Sequence, residues 1–331
     1  MPSHKPGTEL RPGSPLAFAD VLAARRRIRE HLDPTPVARN PALDEVLGCA
    51  AYVKCENLQP IGAFKVRGGV NYMLTLPAEE RQRGVVTAST GNHGQSIAYA
   101  ARICGVRATI FAPAAANPLK VDSMRRLGAE VVLAGPDFDA SKRMAEEHGT
   151  DQGMRFISSG DEPALIAGVA TAYLELLEAV PDLDLIIVPV GGGSGAAGAC
   201  VVRDGVKPDC KVIGVQAAAA PALHDSWRGR RVVKYDSAPT FADGLATREP
   251  FVLPMSIMLD GLADFWLVSE EEMKEAIRLL AHTTHVLAEG AGAAAAAAAM
   301  KQKAAIAGRK VGLMLSGGNL PLGLLREILT G

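Results

Sequence analysis

The chain has 331 residues, with 35 basic and 36 acidic side chains and a formal net charge of −1. Without a surplus of either sign, it has no electrostatic field that would gather nucleic acid or an anionic membrane. Aromatic residues, at 5%, offer few platforms for base stacking. We therefore predict a globular protein that binds neither nucleic acid nor a membrane.

The first fifteen residues, MPSHKPGTELRPGSP, are polar and rich in proline and glycine. They lack the apolar run of a secretory signal, and no stretch of about 18 apolar residues is free of charge, as a membrane span requires. The five cysteines are scattered and form no C-x-x-C pair, which argues against a disulfide framework or a structural zinc site. We expect a frayed N-terminal arm and a cytoplasmic location.

Short apolar segments alternate with longer helical segments along the rest of the chain. The predicted helices are 18–32, 66–76, 94–104, 118–127, 139–148, 163–179, 195–203, 270–287 and 290–303. The predicted strands are 51–55, 85–88, 108–111, 130–133, 185–190, 211–215 and 311–315. This alternation predicts an α/β protein with parallel sheets covered by helices on both faces.

Two groups of strands and helices, near 84–135 and 185–215, suggest two separate sheets. The run of alanines at 293–299 predicts a helix packed close to one of them, because alanine is small and the best helix former. Ligands in such folds bind beyond the carboxyl ends of the strands, so motifs at those ends are candidates for function.

The segment VGGGSGAAGA, 190–199, follows a buried strand and opens a helix of small residues. Glycines let backbone NH groups point at an anion, and the helix N-terminus favours negative charge, so a phosphate fits. No lysine follows as a nucleoside-triphosphate loop requires. The glycines also satisfy G-x-G-x-x-G, but the next strand ends in Gln216 where a dinucleotide site needs a carboxylate. The alternative is a purely structural role, in which the glycines serve only the tight packing of a turn between strand and helix.

The segment ENLQPIGAFKVRGG, 56–69, places Lys65 beside Phe64 in an apolar frame. A desolvated lysine has a lowered pKa and more free amine to attack a carbonyl. Arg67 would help to keep that amine neutral, or would lie on a solvated face. Taken alone, an ordinary surface lysine is the simpler interpretation.

Two further motifs follow predicted strands. STGNHGQ, 89–95, offers hydroxyl, amide and NH groups for a carboxylate, and here we favour a helix cap over an acid–base group for His93. SGGN, 316–319, alone is no more than a turn. Together the four motifs supply an amine, a phosphate cradle, a carboxylate cradle and a further hydroxyl.

In order and spacing these motifs resemble those of the fold-type II pyridoxal-phosphate enzymes, in the branch of threonine/serine dehydratases and serine racemases, over about residues 17–328. The resemblance implies the fold of the tryptophan synthase β subunit, with two open, twisted, mostly parallel sheets. It implies a large domain of residues 1–75 and 159–331, a small domain of residues 76–158, and an active site in the cleft between them. A homodimer or homotetramer is expected by the same analogy.

The resemblance also implies site residues. Lys65 would carry pyridoxal 5'-phosphate covalently and move the Cα proton, and Ser316 would face the pyridine nitrogen. The other residues beside the cofactor would be Phe64, Asn92, Gly191, Gly192, Gly193, Ser194, Gly195, Gly244 and Glu289. Those for the substrate carboxylate would be Ser89, Thr90, Gly91, Asn92 and His93. A serine at the pyridine nitrogen makes the cofactor a weaker electron sink, which suits elimination better than transamination.

The chain departs from the family pattern at several positions. Ala63 stands where serine is usual, and Ser194 replaces a glycine of the phosphate loop. Thr90 stands where the racemases carry a catalytic serine, and its β-methyl group restricts χ1. Residues 216–222, QAAAAPA, lack the carboxylates that hold a divalent cation in the racemases, so we predict no metal there.

The favoured function is a lyase that dehydrates and deaminates threonine, serine or a close relative to a 2-oxo acid and ammonia. An amino acid racemase is the alternative, as is a dehydratase of a bulkier or acidic substrate such as phenylserine or 3-hydroxyaspartate. A nicotinamide-dependent oxidoreductase, which would rest on the G-x-G-x-x-G match, and a non-catalytic sensor are the remaining hypotheses.

Overall fold

The structure is a computed structural model that describes residues 9–330, and its ten strands form two sheets. The strands are β1 (Val37–Ala38), β2 (Ala50–Cys55), β3 (Val85–Ala88), β4 (Ala108–Ala112), β5 (Glu130–Leu133), β6 (Arg155–Phe156), β7 (Leu185–Pro189), β8 (Lys211–Ala217), β9 (Asp264–Val268) and β10 (Lys310–Leu315). The helices are α1 (Phe18–Ile28), α2 (Pro41–Leu47), α3 (Lys65–Thr75), α4 (Ala78–Arg83), α5 (Asn92–Cys104), α6 (Pro118–Arg126), α7 (Phe138–Gln152), α8 (Pro163–Ala179), α9 (Ser194–Val206), α10 (Ala222–Gly229), α11 (Val252–Gly261), α12 (Glu270–Thr283), α13 (Gly290–Lys301), α14 (Lys303–Ile306) and α15 (Leu322–Thr330).

The larger sheet has six strands in the order β1-β2-β10-β7-β8-β9. All neighbours in it run parallel except β1 and β2, which are antiparallel. One face packs on a core that includes α8, α9 and α11, and the other on a core that includes α12 and α13. Its central strands are buried runs because helices cover both faces, as predicted.

The smaller sheet has four parallel strands in the order β5-β4-β3-β6. Helix α7 packs on one face, and α5 and α6 contribute to the core on the other. All four strands lie between residues 85 and 156, inside the segment assigned to a small domain. The two separate sheets confirm the expected fold class, while the domain boundaries stay a prediction.

Helix α13 contains the alanine run and lies against the larger sheet. Every residue from 290 to 299 is buried, and the helix contacts β7, β8, β9 and β10. A β-carbon on Gly292 would lie only 2.1 Å from the carbonyl oxygen of Gly317. The close packing predicted from the alanine run is therefore confirmed, and it brings the start of α13 next to the chain that leaves β10.

The expectation of a frayed arm is wrong for the part that the structure describes. Glu9 forms a β-bridge with Arg231, and the Gly13 amide donates to the carbonyl of Ser256 at 3.1 Å. These bonds hold residues 9–13 against segments that pack on the larger sheet. Residues 1–8 of the expected arm lie outside the described residues.

Candidate active site

A cavity of about 670 Å³ is lined by the residues that follow β3, β7 and β10. All residues that the sequence singled out as site residues line it together, although they come from distant parts of the chain. They are Phe64, Lys65, Ser89, Thr90, Gly91, Asn92, His93, Gly191, Gly192, Gly193, Ser194, Gly195, Gly244, Glu289 and Ser316. Their individual roles stay predictions.

Lys65 opens α3 and extends its amine into this cavity. Its Nζ lies 2.8 Å from the hydroxyl oxygen of Ser194 and 5.4 Å from the centre of the Phe64 ring. Surrounding protein atoms desolvate the ammonium and lower the pKa of Lys65 to about 8. A larger share of its amine is therefore uncharged, and nucleophilic, than in a surface lysine.

The start of α3 is fixed by backbone bonds to the chain that follows β10. The Phe64 amide donates to the carbonyl of Ser316 at 2.9 Å, and Ala63 forms a β-bridge with Gly317. Ser316 is buried directly after β10 and lines the same cavity. These backbone bonds fix the segments that carry the Ser316 hydroxyl and the Lys65 amine relative to each other.

The glycine loop between β7 and α9 presents unpaired donors to the cavity. Among the described residues, the backbone NH groups of residues 191–195 donate to no other protein group. Gly193 has a φ of +91°, which favours glycine, and a β-carbon on Gly191 would lie 1.9 Å from the carbonyl oxygen of Gly244. The loop needs glycine to reach this position, and its free NH groups at a helix N-terminus suit an anion.

Asn92 stands across the cavity within a hydrogen-bonded set of polar side chains. Its amide nitrogen donates to Glu289 Oε1 at 2.7 Å, and its amide oxygen accepts from Asn319 Nδ2 at 2.8 Å. Burial raises the pKa of Glu289, and the bond from Asn92 opposes this. The side chain of Asn92 is therefore held in one orientation. Asn319 lies in the SGGN motif, but the sequence assigned it no role.

The expectation that His93 caps a helix is wrong. Gly91 precedes the helix, and the hydroxyl of Ser89 accepts from the amides of Gly91 and Gly94 at 3.1 and 2.8 Å, so Ser89 satisfies a free donor in the first turn of α5. His93 Nε2 instead lies 3.0 Å from the hydroxyl oxygen of Thr87. Burial, followed by the nearby charge of Lys65, lowers the pKa of His93 to about 3. The ring is neutral at physiological pH.

Both interpretations of Arg67 are also wrong. Its guanidinium is buried, so it does not lie on a solvated face. It binds Glu56 at 2.7 and 2.8 Å and Glu175 at 2.6 and 2.7 Å. Lys54 joins the same network through Glu175, at 2.5 Å. Because two carboxylates neutralise it, Arg67 does not lower the pKa of Lys65, which shifts through burial instead.

The sequence analysis missed the charged groups that cross the cavity. Lys120, at the start of α6, forms an ion pair with Asp243 on the opposite wall. Arg248 pairs with Asp137, 3.4 Å away, and with Asp139, at the start of α7. No local pattern marks these partners, since more than a hundred residues separate them.

Gln216 is the last residue but one of β8, which runs one residue beyond the end expected from the sequence. Its amide oxygen accepts from the amides of Leu223 and His224 at 3.1 and 3.0 Å, so it caps the start of α10. Within residues 9–330, no three His, Cys, Asp or Glu side chains are grouped as they would be to hold a metal ion.

Comparison with known proteins gives the same picture as the geometry. The sequence model of the family described as "pyridoxal-phosphate dependent enzyme" matches residues 28–317. The chain belongs to this family. Its cofactor is therefore pyridoxal 5'-phosphate, whose anionic and aldehyde groups suit the glycine loop and the amine of Lys65 in one cavity.

Individual members of the pyridoxal-phosphate family are similar over most of the chain. It is 38% identical over 314 residues to an L-threonine ammonia-lyase of Thermotoga maritima, which covers 95% of this chain and 78% of that relative. It is 34% identical to an L-threo-3-hydroxyaspartate ammonia-lyase of Saccharomyces cerevisiae, with 95% and 96% covered. The crystal structure of serine racemase from Dictyostelium discoideum superposes with a TM-score of 0.87 at 34% identity, covering 93% of this chain and 99% of that one.

This pyridoxal-phosphate enzyme shows no helix, among residues 9–330, with both the length and the apolar character that crossing a membrane demands.

Proposed function

We propose that this enzyme removes the β-hydroxyl and amino groups of threonine, serine or a close relative, and so produces a 2-oxo acid and ammonia. One observation carries the proposal: the Lys65 amine lies 2.8 Å from Ser194, at the open N-terminus of α9. An amine nucleophile and a phosphate cradle therefore share one cavity. The relatives named as ammonia-lyases support elimination as the outcome.

Bound pyridoxal phosphate would supply the electron sink that stabilises negative charge at the substrate Cα. The residues of this chain would do the remaining work. The NH groups of residues 191–195 would bind the phosphate, and Asn92 and Ser316 would contact the ring from two sides. The loop of residues 89–93 would orient the substrate carboxylate, which fixes the bonds at Cα relative to Lys65.

Lys65 is the group that we assign to proton transfer at Cα. A base that accepts a proton must be uncharged beforehand, and a pKa of about 8 leaves a useful fraction of this amine neutral near pH 7–8. His93 is excluded as a cationic acid at that pH by its pKa of about 3. Loss of the β-hydroxyl as water, followed by addition of water and loss of ammonia, balances the reaction.

An amino acid racemase is the second candidate, because relatives and a similar solved structure are named serine racemases. Racemisation requires a second group that returns the proton to the opposite face of Cα. Thr90 lines the cavity, and the family resemblance assigns it the position of that second group. Its β-branched side chain restricts the hydroxyl more than serine would. This difference favours elimination.

The cavity has space for several kinds of substrate side chain, so an experiment must identify the substrate. The cavity extends past the loop of residues 89–93 to Phe138 and Phe251, which gives space for phenylserine as well as for threonine. The relative from Saccharomyces cerevisiae acts, by its name, on an acidic hydroxyamino acid. Serine, threonine, 3-hydroxyaspartate and phenylserine therefore form the test panel.

The test is to incubate holoenzyme with each of these four amino acids and to measure 2-oxo acid, ammonia and the D-enantiomer. We expect equimolar 2-oxo acid and ammonia from at least one of them, formed faster than the D-enantiomer. Faster formation of the D-enantiomer would establish the racemase instead. No 2-oxo acid from any of the four would refute the lyase.

A divalent cation is not part of the proposed site, because residues 216–222 contain no carboxylate. The same assay should keep its rate after treatment with a chelator and removal of the chelator. A large loss of rate that Mg²⁺ restores would overturn this part of the proposal.

The family analogy also supports a homodimer or homotetramer in the cytoplasm. The five cysteines are free, and four of them are buried, which suits a reducing compartment. Light scattering of the purified enzyme would give its mass, and a monomer would contradict the proposed assembly.

A further inference from the structure

The loop that would receive the substrate carboxylate has no positive charge of its own. Its donors are backbone NH groups and the hydroxyl of Thr90, and the His93 ring is neutral. A carboxylate moved from water into a partly enclosed cavity loses solvation, which donors without charge replace only in part. A cation close to residues 89–93 is therefore expected.

Lys120 meets this requirement by position. A β-carbon placed on Gly91 would lie 4.0 Å from the Nζ of Lys120, so the ammonium stands directly beside the loop. Its positive charge also reaches Glu289, where it lowers the pKa of that carboxyl against the effect of burial. Lys120 thus acts on the interior of the site and not on bulk solvent.

The partner of Lys120 is arranged so that it can be exchanged. The Lys120 side chain is 12% exposed, whereas that of Asp243, its ion-pair partner, is 59% exposed. Release of Asp243 into water would therefore cost little, because its carboxylate is already largely solvated. A substrate carboxylate fixed in the cavity would compete for the same ammonium at a high effective concentration.

The other cations of the cavity are less suited to this role. Arg248 is paired with Asp137 and Asp139, and Lys234 is paired with Glu249 at 2.9 Å. Lys142 also lines the cavity, but its side chain is 38% exposed and lies 3.9 Å from Glu146. Arg143 lines the cavity from α7 and is exposed to solvent, so it serves as a matched control.

We propose that Lys120 binds the carboxylate of the amino acid substrate, and that Asp243 holds the ammonium until the substrate displaces it. This inference rests on the proposed function only insofar as the site binds an amino acid. Lys120 is then a substrate-binding residue, and Asp243 is an internal competitor of the substrate.

The test measures binding and not turnover. L-Alanine has no β-hydroxyl to eliminate, and its dissociation constant can be read from the change in visible absorbance of the holoenzyme. L-Alaninamide is the matched probe without a carboxylate. We expect Lys120→Met to weaken L-alanine binding about 10- to 100-fold, the usual range for a lost charged hydrogen bond. It should change L-alaninamide binding less than about twofold, while Lys120→Arg keeps most of the affinity for L-alanine and Arg143→Met keeps all of it.

The variant Asp243→Asn tests whether Asp243 gives up Lys120 to the substrate or stays bound to it permanently. If Asp243 competes with the substrate, removal of its charge strengthens L-alanine binding, opposite to the effect of Lys120→Met. If the pair merely holds the cavity walls together, both variants weaken binding in the same direction, and the proposal is wrong. Equal losses for L-alanine and L-alaninamide in Lys120→Met, or no preference of the wild type for L-alanine, would also overturn it.

The two proposals fail independently. A wild-type enzyme that binds L-alanine through Lys120 but forms no 2-oxo acid refutes the lyase and leaves the role of Lys120 intact. An enzyme that deaminates threonine while Lys120→Met binds L-alanine normally refutes the role of Lys120 alone.

Discussion

At the scale of single residues, the chemistry of the site depends on keeping the Lys65 amine uncharged. Burial supplies this, since it lowers the pKa to about 8 without help from a neighbouring cation. Arg67, only two residues away, is neutralised by Glu56 and Glu175. Reactivity and structural support are thus assigned to different side chains of α3, two residues apart.

The lowered pKa of Lys65 predicts its pH dependence in the apoprotein. Only the neutral amine reacts with an acylating reagent, so the rate of labelling at Lys65 should rise with pH around a midpoint of about 8. Competitive labelling with peptide mass spectrometry measures it. Lys310, whose pKa is raised by Asp182, is the internal control and should still gain reactivity where Lys65 has levelled off. A midpoint near 10.5 for Lys65 would contradict the account.

Arg67 should matter for stability far more than a surface arginine. Burial alone would raise the pKa of Glu56, but the charge and hydrogen bonds of Arg67, together with Lys54 and Thr35, outweigh burial and lower that pKa. Arg67→Met would remove the arginine partner of the buried Glu56 carboxylate, at a cost of about 3–5 kcal/mol in the free energy of unfolding. Urea denaturation measures the loss.

The matched control for Arg67 is Arg25→Met, which breaks an ion pair with Glu178 at the surface. It should cost no more than about 1 kcal/mol. Adding Glu56→Gln to Arg67→Met should recover part of the stability. If Arg67→Met stays within 1 kcal/mol of the wild type, the buried network does not support α3 as described.

At the scale of elements, the site is built from strand ends and helix starts. The loop from β7 to α9 must pass close to Gly244, and its backbone shape allows no side chain at Gly191. Ser89 satisfies a free donor in the first turn of α5, so one side chain both lines the cavity and supports the start of a helix.

Gly191→Ala tests the close approach of the loop. Its β-carbon would stand 1.9 Å from the Gly244 carbonyl oxygen, so the loop must move away and lose part of its NH cradle. We expect at least tenfold weaker binding of pyridoxal phosphate to the apoprotein, measured by visible absorbance. Gly323→Ala on α15, where a β-carbon meets nothing within 4 Å, should bind as the wild type does. Unchanged affinity in Gly191→Ala would show that the loop does not hold the phosphate.

The sequence revealed those elements whose signals are local. Long apolar runs and glycine punctuation located the central strands, and α8 (Pro163–Ala179) has the bounds expected from its pattern. Strands β1 and β6 have two residues each and form only because a neighbouring strand pairs with them. Strand β9, DFWLV, was missed because it stands alone between long helical segments. Helix α12 ends at Thr283 and not at 287, since His285 adopts a left-handed backbone conformation with φ of +58°.

The candidate site residues also divide into those with a local sequence signal and those without one. The glycine loop carries a local pattern that predicts an anion site. Lys65 was singled out only together with the other motifs and the family resemblance that they carry. Lys120 and Asp243 acquire meaning only through a contact between two walls of the folded chain, which no local pattern encodes. The same holds for the burial that makes His93 neutral.

At the scale of the whole molecule, the irregular segment 230–251 joins α10 to α11 and forms part of the cavity wall. Three ion pairs tie it to helices beside the smaller sheet, one through Lys120 and two through Arg248. These partly exposed pairs contribute little to global stability, but they restrain the segment locally.

Arg248→Met should separate local from global stability. We expect faster amide hydrogen exchange across 230–251, because the bonds to Asp137 and Asp139 are lost, with less than about 1 kcal/mol change in the free energy of unfolding. Arg228→Met, which breaks a surface pair with Asp264, should leave exchange in that segment unchanged. Equal exchange in Arg248→Met and the wild type would show that Arg248 does not restrain this wall.

The most direct measurement concerns the bond between protein and cofactor. Sodium borohydride fixes the link between a lysine amine and the cofactor aldehyde, and peptide mass spectrometry then identifies the lysine. The account predicts the added mass on the peptide that contains Lys65, and no visible absorbance band in Lys65→Ala. Added mass on another lysine, or a Lys65→Ala variant that keeps the band and its activity, would contradict it.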